Sequence, residues 1–235
     1  MAISKDDNPL SQFDGLYCEA AMDGDAQKVR VYLERGGDIQ QASKVHLLVI
    51  VAGRGHLDVL RVLLDAGADV NMRQPTTDLT ALMAASWHGH LAIAKLLVQR
   101  GAGRHARTRS GHDALMLAAY FGRIELVDFL LRVGLDFNGR CNGGETALMR
   151  AAKRGHVAVV KTLLEAGADA NQADNNGMTA LRHARRHHCY AAVTHLKHYG
   201  AHEEPRTRHE HWREQVAQWV EKGSDALLKY LRQRS

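Results

Sequence analysis

Apolar positions along this chain fall at helical spacing in short paired stretches, and the pair at 147–167 is the clearest. Leu148, Ala151 and Ala152 stand at i, i+3 and i+4, and Val157, Val160, Leu163 and Leu164 follow the same spacing. The pattern predicts two antiparallel helices with inward apolar faces. Gly155 and Gly167 stop them by supplying the left-handed cap that a residue with a Cβ resists. The sequence Leu-Leu-Asp-Ala-Gly-Ala-Asp-Val-Asn at 63–71 returns as Leu-Leu-Glu-Ala-Gly-Ala-Asp-Ala-Asn at 163–171. Between them Gly67, Gly101, Gly134, Gly167 and Gly200 are separated by 34, 33, 33 and 33 residues. Such a period belongs to stacked helix pairs, because a unit of that size cannot bury its own apolar face. Stacking generates an elongated surface rather than an enclosed pocket, so binding is the expected function.

The stretch Thr146-Ala147-Leu148-Met149-Arg150-Ala151-Ala152-Lys153-Arg154-Gly155-His156, followed by Val159-Val160 and Leu163-Leu164, resembles the ankyrin repeat. That family's motif runs Thr-Pro-Leu-His-x-Ala-Ala-x-x-Gly-His and ends in Gly-Ala-Asp-Val-Asn. The resemblance implies an all-α solenoid of about six repeats over 14–201, with copies at about 14–41, 42–71, 72–105, 106–138, 139–171 and 172–201. Asn71, Asn138 and Asn171 match the family's turn asparagine, whose short side chain bonds nearby backbone. The departures are consistent as well: the family's proline is Ala81, Ala114, Ala147 and Ala180, and its histidine is Met83, Met116, Met149 and Arg182. Methionine is expected to fill the gap between units, with softer seams where proline is missing.

In this fold the two residues before the Gly-His pair face the concave side. In order they are Met22-Asp23, Gly53-Arg54, Trp87-His88, Tyr120-Phe121, Lys153-Arg154 and Arg186-His187. Trp87, Tyr120 and Phe121 are the expected anchors for a partner, with His88 also in contact and Arg54, Lys153, Arg154 and Arg186 as flanking charges. Tyr120 and Phe121 cannot both face inward when Ala118 and Ala119 already do. The alternative is that the rings pack against neighbouring helices and close gaps. A second cluster, Arg100, Arg104, Arg107 and Arg109, sits around the degenerate turn Gly101-Ala102-Gly103, which should be loose. Arg107 and Arg109 would steer a partner with an acidic surface, unless these arginines simply bond water.

The formal charge of +5 is C-terminal: residues 182–235 carry 11 Lys+Arg against 6 Asp+Glu, and eight of the 15 histidines. Neutral balance over 1–181 weighs against the rival function, nucleic-acid binding through the basic loop 100–112 and the basic C-terminal end. Three dispersed cysteines fit a reducing, cytoplasmic compartment better than a disulfide framework. Residues 1–13 show no signal-peptide pattern and no run suits a membrane span. Residues 202–235 read as a helical extension, with Trp212, Val216, Trp219 and Val220 on one stripe, suited to capping the last repeat, to binding a partner as a detachable helix or to self-association. His183 and His187 at i, i+4 match no established metal motif, and no nucleophile, phosphate loop or carboxylate pair stands out. No catalytic site, metal or cofactor is therefore expected, and the oligomeric state is not specified.

Overall fold

The computed structural model describes residues 17–37, 39 and 46–202. The N-terminal segment 1–13 and the tail helices expected after Pro205 lie outside the described residues. The chain divides into two units, Met1–Ala201 and His202–Ser235, and the described helices belong to the first. They come in pairs, one pair to each expected copy: α1 (17–23) with α2 (Ala26–Glu34), α3 (Leu47–Arg54) with α4 (Leu57–Asp65), α5 (Ala81–His88) with α6 (Leu91–Gln99), α7 (Ala114–Tyr120) with α8 (Ile124–Arg132), α9 (Ala147–Arg154) with α10 (Val157–Glu165), and α11 (Ala180–Arg186) with α12 (Tyr190–His198). Extended pairing among the described residues amounts to the isolated bridge Ala173–Thr179, so the architecture is the all-α repeat solenoid that the periodicity implies.

Local chemistry explains where the first helix of each pair begins. Thr80, Asp113, Thr146 and Thr179 adopt extended backbone, and each side-chain oxygen accepts a hydrogen bond from the amide three residues on. A cap of this kind stabilises a helix by about 1 kcal/mol. The alanines that replace the family's proline occupy the first helical position and are buried, as are Met83, Met116 and Met149, each 1% exposed. The methionines thus lie in the core, as their apolar, adaptable side chains suit. Leu60, Leu63, Leu97, Leu115, Leu126, Leu130 and Leu163 fill the same continuous core.

Adjacent units are fastened by a repeated bond. The residue that opens each second helix reaches back to the carbonyl of the residue just after the paired small residues of the preceding unit. His56 Nε2 donates to Met22 O at 2.9 Å, His90 to Gly53 O at 3.0 Å, Arg123 Nε to Trp87 O at 3.2 Å and His156 to Tyr120 O at 3.0 Å. Cys189 Sγ approaches Lys153 O at 3.9 Å in the same register. A carbonyl can only accept, so in each histidine the Nε2 carries the proton. This latch needs the turn glycine of the preceding unit: a Cβ on Gly122, at φ +69°, would meet the His156 ring at 2.6 Å. In the last described pair that glycine is His188, at φ 59°.

The turns and fingers between pairs are joined in the same way. Gly103 N donates to Asn71 Oδ1 at 2.7 Å, Asp169 N to Asn138 Oδ1 at 3.0 Å, and Asn171 Nδ2 to Gly200 O at 3.1 Å. The asparagine side chains therefore reach the following unit, while within each turn Asp69, Asp136 and Asp169 accept from the backbone N–H of Asn71, Asn138 and Asn171. The turn at 101–103, expected to be loose, is held: Ala102 is buried, Gly103 is bound to Asn71, and Arg104 donates to the carbonyl of Val133. At the finger tips Asn142 N donates to Ser110 O and Asn175 N to Gly143 O, both at 3.1 Å.

Candidate protein-binding face

The carbonyl latch sets the main chain of the very residues that the sequence marks for partner contact, leaving their side chains to line up across successive first helices. Trp87 stands in the last turn of α5 and is 39% exposed. Its indole stacks on Phe121 of the next unit at a centroid distance of 5.0 Å with planes 18° apart. On its own helix it lies nearly parallel to His88, 6.0 Å away. His88 points toward the preceding unit, where its Cδ2 lies 3.5 Å from the site of a Cβ on Gly53. Tyr120 meets Phe121 edge to face at 5.0 Å. Tyr120 and Phe121 are half-buried against neighbouring rings, while Trp87 and His88 are exposed.

The ladder of rings ends in cations. The guanidinium carbons of Arg150 and Arg154 lie 4.7 and 5.0 Å from the Tyr120 centroid, close enough for cation–π attraction. Arg150 is buried, and its Nη1 donates to Glu145 Oε2 at 2.9 Å and to His112 Nε2 at 2.9 Å. Because a guanidinium has no acceptor, His112 must be neutral and accept through Nε2. Burial and the Arg150 charge both hold His112 below the usual histidine range, against a smaller upward pull from Glu145. Lys153 joins the network through Glu145 Oε1 at 3.3 Å. The amino-acid pattern does not single out His112, Glu145 and Arg150 as a group. The available signal is Arg150 itself, a charge standing where the equivalent residues are Ala84 and Leu117.

The remaining expected contact residues are spread along the same face. Arg54 is exposed and donates to Met22 O at 2.7 Å. Arg154 and Arg186 are exposed, and among the described residues neither pairs with a carboxylate. His187 is held below the usual histidine range by burial first and then by the positive charges of Lys153, His183, Arg186 and Arg154. These groups therefore converge on one positive field. The finger arginines bond protein carbonyls: Arg107 donates to the carbonyls of Gly111 and Arg140, and Arg109 to Pro75 O at 2.8 Å. They clip neighbouring fingers together, although Arg109 keeps a 66% exposed side chain.

Glu145, Asp174 and His183 bring ligand atoms within 4.8 Å of one another, the metal-like cluster among the described residues. Its charges are already balanced: Glu145 holds Arg150 and Lys153, and Asp174 accepts from Asn176 N, Met178 N and His183 Nε2. Two cations on one of three ligands make this a poor cation site. Among the described residues no helix is long and apolar enough to cross a membrane.

Comparison with known proteins agrees with the geometry. The family "Ankyrin repeats (3 copies)" matches residues 18–109 and 115–207. The human ankyrin repeat and KH domain-containing protein 1 is 38% identical over 96 residues, 40% of this chain and 4% of that protein. The Drosophila melanogaster ankyrin repeat and KH domain-containing protein mask is 40% identical over 96 residues, 40% of this chain and 2% of that protein. The probable E3 ubiquitin-protein ligase XBOS33 of Oryza sativa subsp. japonica is 40% identical over 83 residues, 34% of this chain and 16% of that protein. The chain thus corresponds to a small part of each of these relatives.

Proposed function

Because the chain belongs to the ankyrin-repeat family, whose arrays generally mediate protein–protein interaction, we propose that it is a non-catalytic adaptor, inhibitor or specificity subunit. Its partner is a protein with an acidic surface, which docks on the concave side of the stack. Trp87, His88, Tyr120 and Phe121 are the anchors, and Arg54, Lys153, Arg154 and Arg186 the flanking charges. Arg107 and Arg109 add to the positive field from the fingers. The observation that carries this reading is the ring ladder from His88 to Tyr120, partly exposed at the middle of the array and bounded by cations. Aromatic and arginine side chains in such a position supply most of the energy of a typical interface. A cytoplasmic site of action is part of the proposal, supported by the odd number and wide separation of the three cysteines, Cys18, Cys141 and Cys189.

Affinity capture from native lysate with the full chain and with a Trp87→Ala/Tyr120→Ala variant tests the proposal. Loss of two hot-spot residues should weaken capture by at least about thirtyfold, equivalent to about 2 kcal/mol, while helix content by circular dichroism is unchanged. Equal recovery of every partner by the folded variant would reject this surface.

A further inference from the structure

The faces that the rings of the ladder turn to one another are occupied. One face of Trp87 is covered by Phe121, its near-parallel contact with His88 lies along the same stack, and Phe121 sits edge to face with Tyr120. Two guanidinium groups lie over the Tyr120 ring. An aromatic ring is negative on its face and positive around its edge, so rings stacked this way turn their positive rims outward. The row continues without change of sign into the exposed guanidinium groups of Arg154 and Arg186. Unstacked nucleobases bind by laying their faces on free ring faces, and the inner faces of this ladder are taken. Carboxylates beside rims and guanidiniums need no free face.

Resting on the docking proposal above, we infer that the occupant of this face is an acidic polypeptide segment carrying an apolar side chain. The apolar residue lies against Trp87 and Phe121, and the carboxylates lie over Arg154 and Arg186. The polarity follows from the composition of the row, whose rings stand on α5 and α7 and whose cations stand on α9 and α11. Helix-to-helix steps of about 8–10 Å make the row about 25–30 Å long. An extended segment of about nine residues covers it.

The test uses fluorescence anisotropy with the full chain and three labelled probes: a peptide of about twelve residues rich in glutamate with one phenylalanine near one end, the same peptide with every glutamate changed to glutamine, and an oligothymidylate of similar length. The acidic peptide should bind at least about tenfold more tightly than either other probe and weaken as salt rises. An Arg154→Glu/Arg186→Glu variant, both changes being at exposed positions, should lose that preference and bind a lysine-substituted peptide instead. Equal binding of the glutamine peptide, tighter binding of the oligothymidylate, or no binding of the acidic peptide would each overturn the inference. The docking proposal is separable: if Trp87→Ala abolishes binding of the glutamine peptide, the face docks protein without selecting charge, and only the inference falls.

Discussion

At the scale of single residues, the arrangement around Arg150 shows how one charge organises a face. A guanidinium in the core has to find acceptors, and it finds the Glu145 carboxylate and the neutral His112 ring while lying against Tyr120. Tyr120 is therefore oriented from beneath by an ion network that spans two fingers. Acid should loosen it. His112 binds a proton less readily in the folded protein than when unfolded, so its contribution is complete above the unfolded value, near 6.5, and is lost as pH falls from there toward the lower folded value. Thermal melts of the parent and of His112→Gln at about pH 7 and about pH 5 should show a smaller acid-induced loss in the variant. The histidines His88 and His187, also held low, contribute equally to both proteins and cancel in the comparison.

At the scale of the helix pair, the sequence is informative because each pair is specified by local rules. Caps, inward stripes and helix-stopping glycines are all legible, and the boundaries of α9 and α10 match the stretch that the apolar spacing marks as two helices. The glycine at the turn within each pair has a second duty that local rules do not disclose. At Gly122 a methyl group would strain the left-handed backbone and also push the His156 ring off the Tyr120 carbonyl. Gly122→Ala should cost about 2–3 kcal/mol, read by urea unfolding, combining backbone strain of about 1–2 kcal/mol with one lost hydrogen bond of about 1 kcal/mol. Gly67, whose absent Cβ faces open space, would lose only the backbone part. The candidate face is legible as a row of positions but not as an arrangement. Its ring order, the burial of Arg150 and the recruitment of Glu145 depend on which unit lies beside which. The clustered finger arginines look like a free basic patch in sequence because nothing in one unit reveals the carbonyls its neighbour supplies.

At the scale of the whole molecule, stability is the sum of unit terms and of the seams between them. The seams are not equal. Histidine closes three of them at 2.9–3.0 Å and arginine one at 3.2 Å, whereas the last relies on a thiol at 3.9 Å, a weak donor. Opening should therefore begin at α11 and α12, where hydrogen exchange is expected to be fastest among the six pairs. Cys189→His should slow it by about fivefold, the effect of about 1 kcal/mol from one hydrogen bond. Unchanged exchange in the variant would show that this seam is not governed by the bond. Each of these latch bonds grips a peptide oxygen and not the side chain that projects beside it. The identity of residues 22, 53, 87, 120 and 153 is thereby uncoupled from the latch itself, and evolution or a designer can respell what this protein recognises while that fastening of the spine stays in place.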